Sequence, residues 1–158
     1  MVIQLRIKDF HNFSNTDAER LLRQAYDIAQ GALPRGSDEL ATYQISLGLA
    51  YLRNGKLAES DSVLTPAVDI KRAVYKDPHR ELAVAVHRLA ALRAAQHRNR
   101  DAARLYREAV DTYEQALGKD SRDLRLALND YAEFAKSTRD QALAKSLRSR
   151  ANSIHSYN

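Results

Sequence analysis

The chain contains no cysteine and no tryptophan, only five glycines and three prolines, and no long apolar run. Without cysteine there is no disulfide framework, no thiolate metal site and no thiol nucleophile. The scarcity of glycine and proline, set against abundant alanine, leucine, arginine and glutamate, disfavours a β-rich fold and favours an all-helical one. No stretch reaches the roughly 18 apolar residues of a membrane span, so membrane insertion is not expected. Met1 to Lys8 is too short for a secretory signal. These absences are consistent with a cytoplasmic protein, and 158 residues suit one domain.

What is present is a repeat. Ala25, Ala67, Ala109 and Ala151 are each 42 residues apart in helical contexts, and Leu40, Leu82 and Leu124 keep the same interval. Each of these leucines follows a polar or proline-containing break: Pro34 to Glu39, Asp77 to Glu81, and Asp120 to Asp123. Within each unit two stretches of helical period flank a small polar turn, at Asn54 to Lys56, His97 to Arg100 and Ser137 to Asp140. The unit is a helical hairpin. Stacked hairpins bury a continuous core that no single one could build.

The periodicity predicts a first helix from about Thr16 to Leu33, with Leu21, Leu22, Ala25, Ile28, Ala29 and Ala32 as its apolar stripe. Three hairpins then follow: Asp38 to Arg53 with Leu57 to Tyr75, Pro78 to Gln96 with Arg100 to Leu117, and Ser121 to Lys136 with Asp140 to Ile154. Asp77-Pro78 reads as a helix start, because aspartate accepts free amides and proline fits the first turn. Pro66 falls inside a predicted helix and removes an amide donor to the carbonyl of Ser62. It should kink or split that helix, unless an outer helix absorbs it as a bend. At the far end, Leu143, Leu147, Ala151 and Ile154 form one stripe opposite Lys145, Arg148, Ser149 and Asn152, the pattern of a terminal repeat closing the array.

Leu47-Gly48-x-x-Tyr51 with Gly55 at the turn, and Ala102-x-x-x-Tyr106 with Ala109, resemble the signatures of the tetratricopeptide repeat. That repeat is ordinarily about 34 residues long. The longer period is similar to the kinesin light chain type, as are Leu128 to Ala132 and the Arg150 to Ile154 ending. The resemblance covers about Asp17 to Ile154 and implies a right-handed superhelical solenoid that binds proteins. Its domain limits are a half repeat at 16–36, then repeats at about 37–77, 78–119 and 120–155, preceded by an irregular cap at 1–15. There are departures from the family pattern. Gln44 stands in place of a tryptophan, Arg93 in place of the tyrosine one period after Tyr51, and Arg6 and Asp9 break the pattern upstream. Ile3 to Lys8 alternates apolar and polar residues in the manner of a strand, so Met1 to Phe13 reads as a cap, a disordered start or an edge strand pairing with another chain.

In the resembled family the first helices of successive hairpins line a concave groove that holds peptides. By register this groove takes Thr42, Ile45, Leu49 and Arg53, then Val84, His87, Arg88 and Ala91, then Asn129, Asp130 and Glu133. Asn129 alone matches a residue that the family commonly uses to hold ligand backbone. Ile45 and Leu49 would form an apolar floor, and Arg53 and Arg88 would orient a carboxylate or an acidic side chain. The alternative is that the apolar pair packs internally and the arginines are solvated. The lysine and asparagine of the chaperone-tail clamp are missing at Ile45, Ser46 and Leu49.

Charge supplies another reading. The net charge is +5, and all of the excess lies from His79 onward. Arg88, Arg93, Arg98, Arg100, Arg104 and Arg107 crowd one hairpin, where an acidic partner or a nucleic acid could be attracted. Nucleic acid is disfavoured, since no glycine-aromatic motif accompanies the arginines and Tyr106 and Tyr113 sit at core spacing.

Catalysis is not expected. His11, His79, His87, His97 and His155 include no pair at i, i+4 spacing to share a metal. Gly118-Lys119-Asp120-Ser121 lacks the upstream glycine and the hydroxyl residue of a phosphate loop. Asn12-Phe13-Ser14 is a glycosylation triplet only in a secretory setting. No cofactor is implied. The expected function is a scaffold holding a peptide or protein ligand, with a homodimer through Met1 to Phe13 or a helix edge as the alternative.

Overall fold

The computed structural model describes residues 15–154, which form seven helices with no strand among the described residues. They are α1 (Asn15–Ala32), α2 (Asp38–Arg53), α3 (Leu57–Val74), α4 (Arg80–Ala95), α5 (Asn99–Leu117), α6 (Arg122–Ser137) and α7 (Gln141–Ser153). Three hairpins, α2/α3, α4/α5 and α6/α7, stack in chain order behind α1. The readings made for Met1 to Phe13, the Asn12-Phe13-Ser14 triplet, His11 and His155 lie outside the described residues. Helix α1 begins at Asn15, one residue inside the stretch assigned to a cap.

The three hairpin turns are one structure repeated. Gly55, His97 and Arg139, again 42 apart, all have positive φ, at 72°, 57° and 66°. At each turn the following amide reaches back to close the helix: Lys56 N to Tyr51 O, Arg98 N to Arg93 O and Asp140 N to Ala135 O, all at 2.9 Å. This is the Schellman closure, which satisfies carbonyls left over at a helix end and requires a left-handed residue. Glycine suits that conformation without a Cβ clash, whereas His97 and Arg139 adopt it at a cost.

The breaks between units are set by caps. The hydroxyls of Ser37 and Ser121 accept hydrogen bonds from the amides of Leu40 and Leu124. The middle break differs from the expected Asp77-Pro78 start. Helix α4 begins at Arg80, and His79 caps it by accepting from Glu81 N through Nδ1 while its ring stacks on Tyr75 at 4.0 Å. Pro66 does not split its helix: α3 is continuous from Leu57 to Val74, with Pro66 exposed. An exposed position lets water reach the carbonyl that the missing amide leaves behind.

The core follows the repeat. Leu64, Ala67, Val68, Ala83, Val86, Leu92, Ala109, Leu124, Leu128 and Ala151 are almost fully inaccessible and belong to one continuous cluster. Gly48 marks its closest approach: a Cβ there would lie 2.4 Å from Leu64 Cγ. The closing stripe behaves as its spacing indicates, with Leu147, Ala151 and Ile154 buried and Lys145, Arg148, Ser149 and Asn152 exposed.

The backbones of α2 and α4, and of α4 and α6, approach closely, whereas the outer helices meet through long side chains, Arg72 of α3 on Glu108 of α5 and Arg150 of α7 on Glu114 of α5. The first helices of the hairpins therefore form the inner, closely spaced side of the stack. The second helices fan outward.

Candidate functional site

Equivalent positions on α2, α4 and α6 follow from the 42-residue register. Ile45, His87 and Asn129 share one position, Ser46, Arg88 and Asp130 the next, and Leu49, Ala91 and Glu133 a third. The structure leaves most of these on the inner face. Thr42, Arg53, Asp130 and Glu133 are exposed, and Leu49, Val84, Arg88, Ala91 and Asn129 are half-buried. Ile45 is the exception among the apolar ones. It is buried in the core and supplies no floor to a groove. Its place is taken by Leu126, 48% exposed, which the sequence reading left out although it stands one period after Val84. A one-residue rotation about a helix decides whether an apolar side chain faces core or groove, and periodicity alone does not resolve it.

His87 is also buried, at 3% exposure, and its ring lies edge-on to Tyr106 and Tyr113. Its Nε2 is 3.0 Å from Asp130 Oδ2 on α6, without the alignment of a hydrogen bond. At the other end of the same helix pair, Arg80 Nε donates to Asp123 Oδ2 at 2.6 Å. These two contacts bracket a depression of about 320 Å³ between α4 and α6, lined by Val84, Arg88, Tyr113, Leu126 and Asp130 among others. Burial pushes the Tyr113 hydroxyl up to about 12, so its phenol remains a neutral hydrogen-bonding group at the floor. A second depression of about 280 Å³ lies between α1 and α2, where Leu22, Leu49 and Arg53 meet.

The cations divide into those already committed and those left over. Lys71 is fully inaccessible, with its Nζ 2.8 Å from both Asp38 Oδ1 and Thr42 Oγ1 and near the face of Tyr75. Partial burial alone would raise the Asp38 pKa, but hydrogen bonds from Lys71 and Tyr75 more than reverse this and hold it below the usual value. Thr42 is thus occupied structurally by Lys71 and by its own bond to Asp38 O. Glu133 is likewise engaged, by Arg148.

Arg93 belongs to a second network. Its guanidinium donates to Asp61 Oδ2 at 2.7 Å, Thr65 Oγ1 at 2.9 Å and Gln96 Oε1 at 2.8 Å, and Gln96 Nε2 donates to Asp61 as well. Burial pushes the Asp61 carboxyl up, yet the bonds from Arg93, Thr65 and Gln96 outweigh it and hold the carboxyl far below the ordinary range. The tyrosine replaced by Arg93 is thereby explained as a bolt between α3 and α4. Arg98 pairs with Asp101, and Arg104 with Glu108. Three of the six arginines that made this hairpin look basic are therefore held by acidic partners.

Arg53 and Arg88 are different. Neither makes a side-chain hydrogen bond or ion pair among the described residues, and both stand on the inner helices beside apolar surface from Leu49, Val84 and Leu126. Among the described residues no cluster of histidine and carboxylate ligands could hold a metal, and no helix is long and apolar enough to cross a membrane.

Comparison with known proteins agrees with this architecture. The tetratricopeptide repeat family model matches residues 39–115. Solved structures of nearly identical repeats of this kind from a kinesin light chain-like protein of Podosopora anserina superpose with a TM-score of 0.70 at 21% identity for one form, a variant with a single substitution. The other form gives a TM-score of 0.67 at 21% identity. Each covers 89% of this chain, which in turn spans 66% of theirs. No curated protein matches the chain in sequence.

Proposed function

We propose that this chain, a tetratricopeptide-repeat solenoid whose fold is that of kinesin light chain-type repeats, holds an extended peptide or protein segment along the inner face of α2, α4 and α6. Repeats of this family are generally protein-interaction modules, and the fold is typically a non-catalytic scaffold. The observation that carries the specific reading is the contrast among cations. Lys71, Arg80 and Arg93 are paired with carboxylates of the chain, while Arg53 and Arg88 have no such partner among the described residues and lie beside the half-buried Leu49 and the exposed Leu126 respectively. An uncompensated guanidinium beside apolar surface suits a ligand carrying a carboxylate next to an apolar side chain.

Pre-formed helices lose little freedom on binding, so the incoming segment bears most of the ordering cost. Asn129, half-buried on α6, would offer its amide to the backbone of the bound segment. Partner identity follows from capture experiments. An Arg53→Glu/Arg88→Glu variant should fold as the wild type does by circular dichroism and should lose a partner that the wild type recovers from extract. Equal recovery by both proteins would move the binding surface away from this groove.

A further inference from the structure

Among the described residues His87 alone buries an imidazole, and its Nε2 is inaccessible and makes no hydrogen bond. Tyr106 and Tyr113 lie edge-on to the ring, with centroids 5.9 Å and 6.1 Å away, and hold its plane. Asp130 Oδ2 stands 3.0 Å from that nitrogen, on a side chain that is 55% exposed and has no hydrogen bond to any described residue. A bare nitrogen lone pair at this distance would face the lone pairs of the carboxylate, so Nε2 carries the hydrogen. A donor and an acceptor therefore lie side by side on the wall of the depression between α4 and α6, and they are not joined. Buried polar groups are ordinarily hydrogen-bonded, and one that is not is destabilising. The repeat does not require this pair: 42 residues earlier the same positions hold Ile45 and Arg88.

We propose that this depression is a subsite for a carboxamide side chain, glutamine before asparagine, carried by the segment held in the groove; the proposal rests on the groove reading above. The amide oxygen accepts from His87 Nε2, and the amide NH2 group donates to Asp130, whose exposed and otherwise unheld side chain turns aside to admit it. One misaligned contact thereby becomes two aligned hydrogen bonds. The other polar side chains fit less well. A carboxylate satisfies His87 but meets Asp130 with like charge, and an ammonium or guanidinium satisfies Asp130 but leaves Nε2 without an acceptor. A serine or threonine hydroxyl carries both functions on one oxygen, on a stem too short to cover Val84 and Leu126 on the same walls. The depression, about 320 Å³, has room for the methylene groups of glutamine against those two residues. Arg88, on the same wall, remains free for a neighbouring carboxylate of the ligand.

Selection of a random peptide library, displayed on phage, against the full chain tests it. The wild type should enrich peptides whose binding is lost in Arg53→Glu/Arg88→Glu, and these should share a glutamine or asparagine at one fixed position. In a synthetic copy of such a peptide, changing that residue to glutamate or methionine should weaken binding on the order of 10- to 100-fold, read by fluorescence anisotropy. Asp130→Lys, at an exposed position where folding is retained, makes both protein groups donors. It should move the preference at that position from glutamine to glutamate. Groove-dependent peptides without a carboxamide preference, with serine or threonine in its place, or with the same preference in Asp130→Lys would overturn the subsite and leave the groove reading standing. Peptides that bind Arg53→Glu/Arg88→Glu equally well, or no enrichment at all, would overturn both.

Discussion

The junction between α3 and α4 and the junction between α5 and α6 occupy the same place in the repeat and are sealed by opposite chemistries. At the first, Arg93, Asp61, Thr65 and Gln96 form a closed polar network. One period later these positions are Ala135, Ala103, Arg107 and Thr138, and the contact is aromatic. Tyr106 stacks on Tyr131 with ring centroids 5.3 Å apart, and Phe134 lies a further 5.3 Å from Tyr106. The junction between α1 and α2 uses a third solution, with Arg23 on the outer helix reaching the hydroxyl and ring of Tyr51 on the inner one. Stacking requires that each junction be satisfied, not that it be satisfied in one way.

The largest expected effect comes from breaking the polar junction. Arg93→Ala leaves Asp61 half-buried beside neutral donors and should cost about 2–3 kcal/mol in urea unfolding. A loss below about 0.5 kcal/mol would mean that the network is solvated and stabilises little.

Acid sharpens the contrast next. Asp61 has a lowered pKa in the folded state, so its contribution is fully present above the ordinary carboxylate value of about 4 and is lost as pH falls below it towards the folded value. Stability of the wild type should therefore fall between about pH 4 and pH 2 by more than that of Arg93→Ala. Parallel pH profiles for the two proteins would remove the network as the source.

The smallest effect belongs to the aromatic junction. Tyr131→Leu keeps an apolar side chain but loses the stack, at a cost of about 1 kcal/mol. The deficit should be the same at pH 7 and pH 4, since no carboxylate of the polar network is involved. A deficit that changed with pH would link the two junctions.

The sequence made the helices legible to within one or two residues because alanine, leucine and turn residues repeat at a fixed interval. Helix α2 ends where its spacing indicates, at Asp38 and Arg53. Legibility failed where a residue's role depends on a partner far away in the chain. Lys71 and Arg93 look like surface cations in a helix pattern, and only folding brings Asp38 and Asp61 to them across 33 and 32 residues. Ile45 and Leu126 show the same limit for the groove: both sit on inner helices, but the local rotation of each helix turns one inward and the other out. Arg53 and Arg88 were visible as candidates. That they are left over, when Lys71, Arg80 and Arg93 are not, became visible only with every pairing in place.

Successive inner helices approach backbone to backbone, whereas outer ones are bridged by the ion pairs Arg72–Glu108 and Arg150–Glu114, and this gives the solenoid a mechanical asymmetry. Bending that tightened the curve would compress α2, α4 and α6 against one another, where side chains already meet. Bending that relaxed it would separate them and bring closer the outer helices, whose backbones stand further apart and are bridged by long side chains. The stack therefore resists tightening, which would also pull those ion pairs apart, more than it resists flattening.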